Sequence, residues 1–410
     1  MTPRSFPAGS SRAHLRRKVA SSLGVLLLLG VLLSAEAQRD GADSPYAPAR
    51  SEWQTKRPED VGMNATKIRE AIRWASAHES TWPSREMREA IARSIASEPF
   101  NDIIGPVKDR AGVNGLIVRH GYIVAEWGDT RRADMTFSAT KSYLSTVAGL
   151  ALDRGLIRSV DDPVKRYVDD GTFESPHNSK ITWRHLLNQT SEWEGTLWGK
   201  PDWADRFKGE KRPYVDPGTA WTYNDVRVNL LAYSLLRVWR KPLPQVLKED
   251  IMDPIGASHT WRWHGYRNSF VRIDGIEMQS VSGGGHWGGG LFIGSRDQAR
   301  FGLLYLRRGV WKGRRLLSET WIKDATTPSS VQPVYGYLVW LNTDRQRFPS
   351  APATSLFVLG AATNIIWIDP DHDLVTVVRW IEDQHVDTFM KLVLESVARI
   401  SDLKGERATR

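Results

Sequence analysis

Ser138 and Lys141 stand three residues apart in the segment FSATKSYLSTVAGLALDRG. On a helix that spacing puts both side chains on one face. A serine hydroxyl is a weak nucleophile until a neighbour takes its proton. A lysine amine can do so if an apolar, water-poor setting disfavours its charged form. With Ser138 in the first turn, backbone N–H groups and the helix dipole would face the oxygen that turns negative during attack. The pair therefore predicts nucleophilic acyl transfer. Spacing alone carries little, since Ser401 and Lys404 repeat it in the polar C-terminal tail. The competing reading of the first copy is a capping serine beside a solvated lysine. What separates the copies is the apolar helix expected after Ser138, with Leu144, Val147, Ala148 and Leu150 enclosing the lysine.

The elements that must position this pair follow from periodicity and punctuation. Asn64 reads as a helix N-cap, with Met63 as its hydrophobic staple and Ile68 and Ile72 at helical spacing. Alternation around Arg119-His120-Gly121 predicts a hairpin of Val113–Val118 and Tyr122–Trp127. Residues 80–105 read as helix plus loop, and 139–153 as a buried helix ending near Gly155. Further helices are expected at 182–190, 225–240, 244–252, 296–308 and 383–400, and strands at 335–341, 364–368 and 374–380. Strands, then helices, then strands again predict an α+β fold: an antiparallel sheet flanked by helices, with a mostly helical inserted lobe over about 150–285.

Composition bounds the rest. The 410 residues are 41% hydrophobic and 25% charged, as in ordinary globular chains, and their length suggests more than one lobe. The net charge is +9, of which residues 1–37 hold +4, from five basic residues against Glu36. No dense basic run with interleaved aromatics remains, so no nucleic-acid partner is expected. Arg16-Arg17-Lys18, the apolar run 23–33 and Ala35-Glu36-Ala37 read as a cleavable signal peptide over 1–37, and the run is short for a membrane span. A periplasmic or extracellular protein without a membrane anchor is expected, with a flexible lead-in at 38–50, one domain over 51–400 and a tail at 401–410. The absence of cysteine excludes disulfides, thiol catalysis and a lipoprotein anchor. No His-rich metal spacing occurs, so neither metal nor cofactor is expected. The oligomeric state has no signature in the sequence.

Four segments together resemble the class C β-lactamase-like serine hydrolases, which include penicillin-binding proteins, D-aminopeptidases, family VIII-type esterases and nylon-oligomer hydrolases. They are the Ser138–Lys141 segment, ITWRHLLNQTSEWEG, DPGTAWTYNDVRVNLLAYSL and GGGHWGGGLFIGSRDQARFGLLYLRRG, in the family's order. The resemblance spans roughly residues 55–400. It implies that Tyr223 shuttles a proton between Ser138 and the leaving group, as a phenol near an ammonium can ionise. Where the family usually has Asn, this chain has Asp225, which could pair with Lys141 but offers no amide donor. The usual third motif is replaced by Leu359-Gly360-Ala361. Gly360 would let the backbone approach the substrate, and the Ala361 N–H could complete an oxyanion hole with that of Ser138. Without the motif's cation, a substrate carboxylate has no obvious partner. His286 and Trp287 are candidate cleft residues, with Trp193, Trp198 and Trp340 as further candidate walls.

The sequence thus predicts a secreted serine hydrolase of a small-molecule ester or amide, acting through a Ser138 acyl-enzyme with Lys141 and Tyr223. Two alternatives stand beside it. One is a catalytically silent exported binding protein on the same scaffold. The other is a β-lactamase or D-aminopeptidase acting on peptidoglycan-like substrates.

Overall fold

A computed structural model describes residues 45–50, 52–82, 84–205 and 212–397. The expected leader and the 401–410 tail lie outside the described residues. Every described helix and strand belongs to the compact unit that begins at Tyr46. No helix among the described residues is long and apolar enough to cross a membrane.

The first helix, α1 (Ala65–Ala77), starts where Asn64 caps it, its Oδ1 accepting from the N–H groups of Thr66 and Lys67 at 2.9 and 3.1 Å. Helix α2 (Met87–Ser94) follows. The hairpin β1 (Asn114–Arg119) and β2 (Tyr122–Trp127) turns at His120-Gly121, both with positive φ. A short strand β3 (Asp134–Met135) leads into a turn at Phe137–Ala139 and the buried helix α3 (Thr140–Asp153).

The middle of the chain holds α4 (Trp183–Leu187), α5 (Asp225–Trp239) and α6 (Leu243–Leu247). It also holds a long hairpin, β4 (Arg262–Ile273) and β5 (Ile276–Val281), joined at Asp274-Gly275 with φ of 52° and 80°. The lobe expected to be mostly helical is thus part sheet. The register shifts between Gly265 and Phe270, so this strand breaks the two-residue alternation that would announce it. Asp-Gly was nonetheless a hairpin signal in plain sight.

Strand β6 (Gly290–Ile293) and helix α7 (Ser295–Leu306) return the chain to the main sheet. Helix α8 (Glu319–Ala325), strands β7 (Trp340–Leu341), β8 (Leu356–Gly360), β9 (Asn364–Asp369) and β10 (Leu374–Arg379), and helix α9 (Val386–Glu395) complete it. The strand expected over 335–341 is only Trp340–Leu341. Leu338 takes a φ of 57° and Gly336 N–H donates to Val339 O, folding the chain back before it can extend.

The main sheet runs β7-β8-β9-β10-β1-β2, antiparallel throughout, and a second runs β3-β6-β4-β5. Side chains alternate across the main sheet. Ile117, Phe357, Ile365, Trp367 and Val378 join α1 and α9 in one core. Leu116, Val358, Ile366, Ile368, Val375 and Val377 join α3 and α7 in the larger one. The antiparallel α+β expectation holds.

The lead-in expected at 38–50 to be flexible is anchored over its described end. Tyr46 stacks on Tyr122 at 4.2 Å, and buried Arg300 donates to the carbonyls of Pro48 and Ala49 at 3.2 and 2.7 Å. A buried guanidinium must find acceptors, and these backbone oxygens supply them.

Candidate active site

The Ser138 turn is clamped from two sheets. Thr136 donates to Leu291 O from both its N–H and its hydroxyl, at 2.9 and 3.0 Å. Leu291 N–H in turn donates to Thr140 Oγ1 at 3.0 Å. Buried Arg379 donates to Met135 O at 2.6 Å and Ile293 O at 2.7 Å, tying the main sheet to the entry of the turn. Phe137 is forced to a φ of 49°, a conformation that costs a non-glycine residue and marks a constrained turn.

Ser138 is half-buried, and Lys141 Nζ donates to its Oγ at 2.9 Å. Lys141 itself is 1% exposed and makes a direct ion pair with Asp225 Oδ1. The amine's setting is therefore ionic, not the apolar one expected; the expected departure from Asn at 225 puts a carboxylate there. Gly284 passes so close that a Cβ would collide with both Lys141 Nζ and Asp225. Lys141 Nζ also lies 4.5 Å from the centre of the Tyr223 ring.

Tyr223 is half-buried and packs among rings, 5.9 Å from Trp340 and 6.3 Å from Tyr335. Burial, reinforced by the Asp225 carboxylate, pushes its phenol well above the usual value, while the Ser138 hydroxyl pulls the other way. Ready ionisation beside Lys141 is thus corrected: burial, and then the Asp225 carboxylate, favour the neutral phenol. The residues that hold Tyr223 come from the NQT segment, where Gln189 accepts from Asn224 N–H at 2.7 Å and donates to Tyr335 OH at 2.9 Å.

Asp225 does not face substrate. It is buried behind Lys141, and its Oδ2 accepts from His286 N–H at 3.0 Å. Burial pushes its carboxyl up, but Lys141 and then His286 outweigh that and hold it below the ordinary value. His286 and Trp287 are not cavity walls either. The imidazole lies between Glu98, at 2.8 Å, and Asp205, at 3.4 Å. Burial alone would lower its pKa, yet Asp205, Glu98 and Asp225 raise it to about 9. Trp287 is fully buried in the larger core. The sequence showed no His and carboxylate cluster, but folding assembles Glu98, Asp205 and His286 from distant segments, with ligand atoms within 4.8 Å of one another. Their direct hydrogen bonds fit a protonated imidazole between carboxylates.

A cavity of about 790 Å³ opens in front of Ser138. Tyr223, Trp340, Gly360 and Ala361 line it with Ser138. Of the four candidate tryptophan walls only Trp340 does. Gly360 seats β8 on the nucleophile turn, since a Cβ there would collide with Thr136 O and come within 3.0 Å of Ala139 N. Ala362 and Thr363 then turn through φ of 55° and 58°, and Asn364 Nδ2 donates to Ala361 O at 2.8 Å, fixing the orientation of that peptide. Sequence reasoning missed Arg347, Glu382, Asp383 and Trp82, which also line the cavity, Asp383 from a short 3-10 turn and the others from loops. Arg347 in particular answers the expectation that a substrate carboxylate would find no cation.

Comparison with known proteins adds to this geometry. The family described as Beta-lactamase matches residues 100–384. An uncharacterized protein of Alkalihalophilus pseudofirmus is 23% identical over 322 residues, covering 69% of this chain and 89% of its own. Among solved structures, a penicillin-binding protein homolog from Caulobacter crescentus superposes with a TM-score of 0.52 at 17% identity, covering 77% of this chain and 98% of its own. A family VIII carboxylesterase does so with a TM-score of 0.52 at 16% identity, covering 75% and 96%. The fold is that of these β-lactamase-like proteins.

Proposed function

The chain belongs to the Beta-lactamase family, and from that premise we propose that it is a serine hydrolase that cleaves an ester or amide through a Ser138 acyl-enzyme. The observation that carries this reading is the 2.9 Å bond from Lys141 Nζ to Ser138 Oγ at the floor of a substrate-sized cavity.

In the proposed cycle Ser138 Oγ attacks the carbonyl carbon while its proton passes to Lys141. Lys141 releases a proton to Asp225, its direct partner, so the ammonium is kept, Asp225 becomes neutral and the new negative charge sits on the carbonyl oxygen. The N–H groups of Ser138 and Ala361 hold the oxyanion. Tyr223, kept protonated by burial and by Asp225, gives its phenolic proton to the leaving group. Water then attacks the acyl-enzyme, the Tyr223 phenolate takes one water proton, and the proton on Asp225 returns through Lys141 to Ser138. The sum is one water consumed, one acid and one alcohol or amine released.

Intact mass after treatment with a fluorophosphonate probe tests this. One adduct on the wild type and none on Ser138→Ala is expected. An unlabelled wild type, or an equal adduct on Ser138→Ala, would overturn it in favour of a silent binding protein. Export belongs to the same proposal and rests on the basic, apolar and small-residue pattern of residues 16–37. N-terminal sequencing of the mature protein should then begin at Gln38, and a retained leader would count against it.

A further inference from the structure

His286 lies behind the catalytic groups and touches them through Asp225. Its backbone N–H donates to Asp225 Oδ2 at 3.0 Å, and Asp225 N–H in turn donates to Asp205 Oδ2. The imidazole closes this loop. Its Nδ1 lies 3.4 Å from Asp205 Oδ1, and its Nε2 lies 2.8 and 2.9 Å from the two oxygens of Glu98. Ionised carboxylates accept and do not donate, so an imidazole with one on each nitrogen carries both protons. The Gly-rich turn fixes it there. Gly285, with a φ of 76°, donates from its N–H to Ser282 Oγ at 3.0 Å, and the Trp287 ring meets the imidazole edge-on at 4.5 Å.

The charges around this ring show what the cation does. Among the described residues, Lys141 from α3 and His286 face three carboxylates: Glu98, Asp205 and, from α5, Asp225. Tyr223, Tyr266 from β4 and Tyr335 also lie in the field of Asp225, and burial keeps all three phenols neutral. Lys200 lies in the field of Glu98, but its amine is turned to the carbonyls of Phe100 and Asp102, over the Trp287 ring. Removing the imidazolium would leave Lys141 alone against three carboxylates. Burial is the largest influence on the Asp225 carboxyl and favours its acid form; Lys141 and then His286 keep it ionised. A protonated Asp225 could not take the proton that Lys141 sheds when Ser138 attacks.

We propose that His286 is a positioning residue for acylation: its imidazolium, clamped by Glu98 and Asp205, keeps Asp225 a carboxylate ready to accept the proton of Lys141. This rests on the serine-hydrolase reading, which places Asp225 in the proton path. The acid limb of acylation then belongs to Asp225, and losing a nearby positive charge moves its midpoint up by roughly half to one pH unit.

The test follows the rate of fluorophosphonate labelling of Ser138 from pH 4 to 8 in wild type, His286→Gln and His286→Lys. Near-UV circular dichroism checks that each is folded, and His286→Asn takes the place of a glutamine variant that is not. Wild type should keep its rate into the ordinary carboxylate range. His286→Gln should move the midpoint up by at least about half a unit, and His286→Lys, which keeps a cation without the ring, should return it toward wild type. An unmoved limb in His286→Gln overturns the proposal while leaving the hydrolase standing. A limb moved equally in both variants assigns the effect to lost packing and overturns it too. If wild type is not labelled, the hydrolase reading falls, and the hold of His286 on Asp225 is judged by NMR titration of the carboxyl, with Asp225→Asn assigning its resonance. An equal midpoint in wild type and His286→Gln then overturns that hold.

Discussion

Replacing Asp225 by alanine strands the Lys141 ammonium in the interior. The two groups are 3% and 1% exposed and pair directly. Removing one partner of such a pair leaves an uncompensated buried charge, which costs about 3–5 kcal/mol. An unfolding entropy of about 2.1 cal/mol/K per residue over this domain converts that to a fall in Tm of roughly 4–7 °C. The sign with pH follows from the carboxyl being held below its ordinary value. Its stabilisation is present above the unfolded pKa and is lost as pH falls through the folded one, so the deficit should persist at neutral pH and vanish in strong acid. Urea unfolding followed by tryptophan fluorescence measures it. Lys141→Met combined with Asp225→Ala should recover most of the loss, because no buried charge remains. A deficit under about 1 kcal/mol for Asp225→Ala, or a double variant whose loss equals the sum of the singles, would refute the buried pair.

His286 should make stability fall with rising alkalinity. Its pKa is raised to about 9, so the protonated form stabilises fully below the unfolded value and is lost toward pH 9, by up to about 3 kcal/mol. Urea midpoints of wild type and His286→Gln should therefore converge between pH 6 and 9.5, and parallel curves would count against the ion cluster. Gly360→Ala should slow fluorophosphonate labelling of Ser138 at least tenfold, since the added Cβ collides with Thr136 O and shifts the nucleophile turn. An unchanged labelling rate would show that β8 is not seated there. Asn64→Ala should cost about 1 kcal/mol in urea unfolding with no change in labelling, as two capping bonds far from the cavity are lost.

Much of the molecule was legible one-dimensionally. The 138–141 spacing, the apolar helix behind it, the Asn64 cap and the β1–β2 hairpin are local patterns, set by backbone geometry and side chains within a few turns. The family resemblance, not local pattern, named Tyr223, Gly360 and Ala361, which line one cavity with Ser138. Local pattern did not suffice for the β4–β5 hairpin, whose bulged register hides the alternation. Nor could it say what surrounds a charge. Burial and then Asp225, 84 residues from Lys141, hold the Tyr223 phenol protonated, and the same carboxylate gives Lys141 its ion-pair partner. The Glu98–His286–Asp205 cluster and the Arg347–Trp340 stack have the same origin. Residue type and spacing thus decided which groups could do chemistry. The tertiary structure alone decided their charge states and neighbours, because Coulomb energies in a buried site depend on distances that chain separation does not encode.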